Sequence, residues 1–318
     1  MTWSVGAAAQ SSRAKAEFPK TDFAVHSVPF DEIMSGGPPR DGIPAIDEPA
    51  FKPVGEVGDL PDNEPVITVA IDGRWRAYPL RILMWHEIVN DRIGDTPVAV
   101  TYCPLCNSAI VFDRRVDGRE LDFGTTGRLR HSDLVMYDRQ TETWWQQFLG
   151  EGIVGELTGS RLKMLPVRVE SFARFKQRSA AAGTDGAIEV LVPNNPGIRA
   201  YGRNPYAGYD SMSAPFLYRG ESPASIAPLA YVVAVDGEAW SLDFLRDTGR
   251  MERDDLVITW EPGQASALDS SVIADGRDIG NIVVQRRAAD GSLTDAVHDL
   301  TFAFAFHAFN PDGVIHQE

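Results

Sequence analysis

Between residues 65 and 155 short apolar runs alternate with turn signals, and that rhythm limits what the chain can become. P-V-I-T-V-A-I at 65–71 reads as a strand, Asp72-Gly73 as a hairpin turn, and R-W-R-A-Y at 74–78 as the returning strand. Helical spacing follows over 80–89, where Leu80, Leu83, Met84 and Ile88 share a face, Pro79 serves as the entry and Asn90-Asp91 as the stop. Further strands are expected at 97–102, 109–112, 120–123 and 133–138, followed by W-W-Q-Q at 144–147 and a glycine-punctuated run at 150–155. The reading is a β-rich α+β fold of short, mostly antiparallel strands with a few helices.

Farther on, the chain echoes itself. V-A-I-D-G at 69–73 returns as V-A-V-D-G at 233–237, and A-V-T-Y-C-P at 99–104 as V-I-T-W-E-P at 257–262. This suggests a duplicated unit whose degenerate second half has Glu261 in the place of Cys103. The expected organisation is a poorly packed arm over 1–39, a half carrying the motifs over 40–180, an irregular connection over 181–220, and a second half packed on the first over 221–318. A loop as long as that connection is uncommon unless functional or packed on a domain.

Both cysteines of the chain fall in one run, T-Y-C-P-L-C-N-S at 101–108. Two sulfurs three residues apart can converge on one metal ion or close a small redox-active ring. C-P-x-C is a zinc-knuckle spacing, but a second C-x-x-C is missing, so the other ligands would be His, Asp, Glu or Met. His86 is the leading third ligand, with His131 and Met136 behind it; zinc or copper is the expected ion. Glu87 is placed beside the site, to orient a ligand or act as a general base, and Tyr102, Asn107, Asp133, Trp145 and Gln147 are expected around it. Thioredoxin-type chemistry is disfavoured because 107–113 reads as a strand rather than a helix. The competing reading is a non-catalytic binding or structural protein with a local disulfide or a buried cysteine pair.

Nothing in the chain reads as a phosphate loop, a nucleotide fingerprint or a haem attachment, since Cys106 is followed by Asn107. A net charge of -15 argues against a nucleic-acid partner. No apolar run is long enough to span a membrane, and the N-terminus lacks the basic and apolar regions of a signal peptide. A metal or a small ligand is the partner left.

Taken together, D-G-I-P-A-I-D at 41–47, R-A-Y-P-L at 76–80, W-H-E-I-V-N-D at 85–91, T-Y-C-P-L-C-N at 101–107, S-D-L-V-M-Y-D at 132–138 and W-Q-Q at 145–147 resemble a widespread prokaryotic family of unknown function, number 3179. The resemblance is strong over 41–166 and weak beyond, to Asn310-Pro311. It implies no activity, and it implies that many members are exported. One departure is His131, where the family pattern has Asn, so a ligand role for it would not be a family property.

Overall fold

The short strands pair into several small sheets rather than one wide sheet. The computed structural model, which describes residues 13–183 and 187–318, divides them among five small ones. One orders β1 (Ile33–Ser35), β10 (Phe123–Arg130), β11 (Asp133–Asp138), β12 (Trp144–Gln146) and β13 (Glu151–Val154). A second orders β14 (Lys163–Leu165), β7 (Ser108–Asp113), β6 (Thr96–Cys103) and β5 (Ile88–Ile93). A third orders β15 (Arg168–Ser171), β3 (Pro65–Ile71), β4 (Arg74–Pro79), β16 (Ile188–Val192) and β2 (Ala50–Pro53). The fourth is β23 (Asp299–Phe302), β17 (Tyr231–Val235), β18 (Glu238–Ser241) and β24 (Ile315–His316). The fifth is β19 (Arg250–Arg253), β20 (Leu256–Glu261), β21 (Asn281–Arg287) and β22 (Leu293–Asp295). A small hairpin, β8 (Arg115–Val116) and β9 (Arg119–Glu120), stands apart.

The fold is therefore β-rich, as expected, and its five sheets resemble the blades of a five-bladed propeller. It is not the duplicated unit that the echoes suggested. The echoed segments are hairpins of individual blades: Asp72-Gly73 and Asp236-Gly237 both have positive φ at the two turn positions, as a tight type I′ hairpin requires. Each of these hairpins runs into a short helix, α1 (Leu80–His86) and α3 (Leu242–Thr248). The other helices, α2 (Phe172–Ala181) and α4 (Ala303–Phe309), each follow an edge strand, β15 and β23. Two strand pairs, β4 with β16 and β18 with β24, are parallel.

Of the arm expected to be poorly packed, residues 1–12 lie outside the described residues. Within 13–39, Ala14, Phe18, Thr21 and Ile33 are buried, Phe18 lies edge-on to Tyr137 and Trp144, and β1 pairs with β10. The irregular connection contains β16, which is inserted between β4 and β2. One apolar cluster runs from Ile67 to Ala305, across the boundaries expected at 180 and 220. Among the described residues no helix is long and apolar enough to cross a membrane.

Candidate metal centre

The dithiol sits in the loop that turns β6 into β7, with Cys103 paired to Ser108 across the hairpin. Pro104 opens the turn. Asn107 closes it at φ 51, in the left-handed region that asparagine tolerates. The N–H of Cys106 donates to the Cys103 carbonyl (3.3 Å), and that of Asn107 to Pro104 (3.2 Å). Tyr102 donates its hydroxyl to Asn107 Oδ1 (3.1 Å), and Asn107 Nδ2 donates to the Leu300 carbonyl (2.8 Å). Tyr102 and Asn107 thus frame the hairpin.

Cys103 and Cys106 are free thiols, both buried, 4.0 Å apart. A third group meets them: ligand atoms of Cys103, Cys106 and Asp133 all lie within 4.8 Å of one another. Asp133 is delivered by the β10–β11 hairpin, whose two turn residues, His131 (φ 53) and Ser132 (φ 68), are both left-handed. Asp133 Oδ2 accepts from Gln146 Nε2 (2.5 Å) and from the Phe148 N–H (3.0 Å). Oδ1 is buried and has no hydrogen-bond partner among the described residues. A buried carboxylate oxygen left bare costs free energy unless something positive or hydrogen-bonding meets it.

The surroundings are acidic, and the Phe148 and Gln146 hydrogen bonds to Asp133 relieve them only in part. Burial pushes Asp133 up to about 7, with Asp299 adding repulsion. Burial, then Asp133, pushes Glu87 up to about 8, and burial pushes Asp299 up to about 7. The Cys103 thiol is raised by burial, with Asp133 and Glu87 adding, and Cys106 is raised well beyond its ordinary value by burial and by Cys103. The neighbouring charges that raise these groups are all acidic. A divalent cation would reverse that balance.

A pH dependence follows. A carboxyl with a raised folded pKa contributes stability that is full below its unfolded pKa and is lost as pH rises through the folded one. His86, His131 and His298 are lowered by burial, so they work in the opposite sense, but only up to the ordinary histidine value of about 6.5. Metal-free protein is therefore expected to lose stability steadily from pH 6.5 to 8, read as a falling urea midpoint in the presence of a chelator. A midpoint that rises across that interval would contradict the assignment.

The structure places the other expected residues differently. His86 is not beside the sulfurs. Its Nδ1 contacts the Pro44 carbonyl and its Nε2 the Tyr201 hydroxyl, each at 2.8 Å. Adjacent helical positions point about 100° apart, and at this helix end it is Glu87 that turns inward. His131 is a turn residue, at a φ that explains why asparagine suits the position; its ring packs against Phe309 and its Nε2 lies 3.3 Å from Glu32. Met136 is buried in the apolar core, on the face of β11 opposite Asp133 by strand alternation. Trp145 donates to Asp138 (2.9 Å) and Gln147 to the Thr101 hydroxyl (2.9 Å), so both tie strands together.

Beside the dithiol opens a cleft of about 420 Å³. Leu105, from between the cysteines, Leu134, next to Asp133, and Glu87 lie in its wall. Tyr206, Tyr209 and Phe216 close the other side. These three lie in the 181–220 connection, and the sequence signal for them was the unusual length and tyrosine content of that loop.

The family model described as "Protein of unknown function (DUF3179)" matches residues 40–313. The chain belongs to this family. The match extends past Pro166, where the motifs weaken, and takes in both Asp299 and the aromatic cleft wall of this DUF3179 protein. No curated protein and no solved structure matches the chain.

Proposed function

We propose that the protein binds a zinc ion through Cys103, Cys106 and Asp133. The observation that carries this reading is the bare, buried Oδ1 of Asp133 beside two free thiols. Geometry supports it: tetrahedral zinc with Zn–S bonds of about 2.3 Å holds two thiolates about 3.8 Å apart, close to the 4.0 Å between these cysteines. Two thiolates with a carboxylate suit zinc better than Cu(I), which prefers sulfur and imidazole. Three protein ligands leave a fourth position for water or a ligand, the pattern of zinc sites that react or exchange.

A reversible disulfide is the second reading, favoured by the same 4.0 Å separation. The raised thiol pKa values count against it, because the thiolate is the attacking species.

Protein purified under reductant should carry about one zinc per chain by elemental analysis. Asp133→Asn should weaken zinc binding by roughly a hundredfold or more, since even outer-shell partners of a metal contribute about 10–100-fold. Wild-type protein that stays metal-free when titrated with zinc under reductant sinks the proposal, and free-thiol titration without reductant then tests the disulfide.

A further inference from the structure

Glu87 stands where glycine belongs. It follows α1 and precedes β5 with φ 58 and ψ −32, and its counterpart between α3 and β19 is Gly249, with φ 67 and ψ −33. The backbone bonds match as well. The N–H of each closes its helix, onto Leu83 and Leu245, and the carbonyl of each accepts from the strand two places on, from Tyr102 and Trp260. A left-handed φ disfavours any residue with a Cβ, so at one of two equivalent junctions the chain keeps a carboxylate side chain against the preference of its backbone. Strain of this kind concentrates at functional positions.

Glu87 is 8% exposed, lines the cleft, and its carboxyl has no hydrogen-bond partner among the described residues. The charged groups of the cleft wall are Glu87 and Arg128. Arg128 is already matched: it donates to Glu17 (2.7 Å) and lies over the Phe18 and Trp144 rings. An anionic ligand would find no free cation here, and a neutral apolar one would leave the Glu87 carboxyl bare. An inorganic cation would need several oxygen ligands, where the wall is chiefly apolar and aromatic. A positively charged organic head favours the ionised form of Glu87 that burial and Asp133 oppose, and aromatic faces favour it further.

We propose that the cleft binds a small organic ammonium compound, with its charged head on Glu87 and its apolar body between Tyr206, Tyr209 and Phe216. The Tyr209 hydroxyl accepts from the Phe216 N–H (3.2 Å), which ties that wall together. The cleft volume of about 420 Å³ falls within the range of small-molecule sites. This inference does not require the zinc reading, because Glu87 is outside the group formed by Cys103, Cys106 and Asp133.

The test is calorimetric titration at about pH 9, above the raised Glu87 value and below the ordinary amine range, with 2-phenylethylammonium and with its neutral counterpart 2-phenylethanol. The wild type is expected to prefer the ammonium by about tenfold or more, the scale of a charge-assisted hydrogen bond. Glu87→Gln should abolish that preference, and the Cys103→Ser/Cys106→Ser variant should keep it, which separates this site from the metal. Glu87→Gly should bind no ammonium yet unfold at a temperature roughly 2–4 °C higher, since the backbone strain is relieved. Equal binding of the two probes, no binding of the ammonium, or a preference that survives Glu87→Gln overturns the proposal. A lower unfolding temperature in Glu87→Gly overturns the strain argument behind it.

Discussion

Zinc is expected to raise the thermal midpoint of the reduced wild-type protein by roughly 8 °C, and to leave the Cys103→Ser/Cys106→Ser variant where it was. A ligand that binds only the folded state stabilises it by about 4 kcal/mol at a thousandfold excess over Kd. In a chain of this size that corresponds to roughly 2 °C per kcal/mol. The contrast is large because the variant removes two of the three ligand atoms that meet. It leaves the turn itself intact, which is held by the backbone bonds of Cys106 and Asn107 and by the Asn107 side chain. Serine hydroxyls are poor zinc ligands at neutral pH, so residual binding should be negligible. Equal zinc shifts in the two proteins would show that the ion binds elsewhere.

Glu64→Ala is expected to cost about 3–5 kcal/mol, the typical loss when one partner of a buried ion pair is removed. The Glu64 side chain is 1% exposed and Arg81 15%. Both carboxylate oxygens accept from the guanidinium, from Nε at 2.7 Å and from Nη2 at 2.5 Å. Without Glu64 the arginine keeps the Asp59 carbonyl (3.0 Å) as its remaining protein partner. Arg81 stands in the first turn of α1, the helix that delivers Glu87, so the variant should also weaken ammonium binding in the cleft. Urea unfolding of Glu64→Ala, Arg81→Met and the double variant measures the pair directly. A single-variant loss below about 1 kcal/mol would place the pair in the class of weak surface bridges.

Local pairing was legible in the sequence and long-range pairing was not. The β3–β4 hairpin lies where Asp72-Gly73 put it, and β6 and β7 flank the dithiol within a residue or two of expectation. The helical spacing over 80–89 overruns the helix itself, Leu80–His86. It stops at His86 because Glu87 adopts a left-handed φ, and a glutamate carries no stop signal that a glycine would. The insertion of β16 beside β4 and the packing of β23 against the dithiol hairpin join segments far apart in sequence, which no local pattern encodes.

The site shows the same division. Spacing alone brought Cys103 and Cys106 together, whereas Asp133 reaches them through the way β11 is set against the β6–β7 hairpin. His86 looked better than Asp133 because it lies nearer in the chain and is a commoner metal ligand. The structure reverses that order: helix rotation sends His86 outward, and the two-residue turn at His131-Ser132 sends Asp133 inward.

The carbonyl of Cys106 accepts both the Phe302 N–H (3.0 Å) and the Thr301 hydroxyl (2.7 Å), groups 195 or more residues farther along the chain. Contacts of such sequence separation form late, after the loop-closure entropy has been met. On a ribosome the cysteine turn therefore emerges long before the strand that clasps it. Only the arrival of residues 299–302 supplies those two donors and clasps the turn.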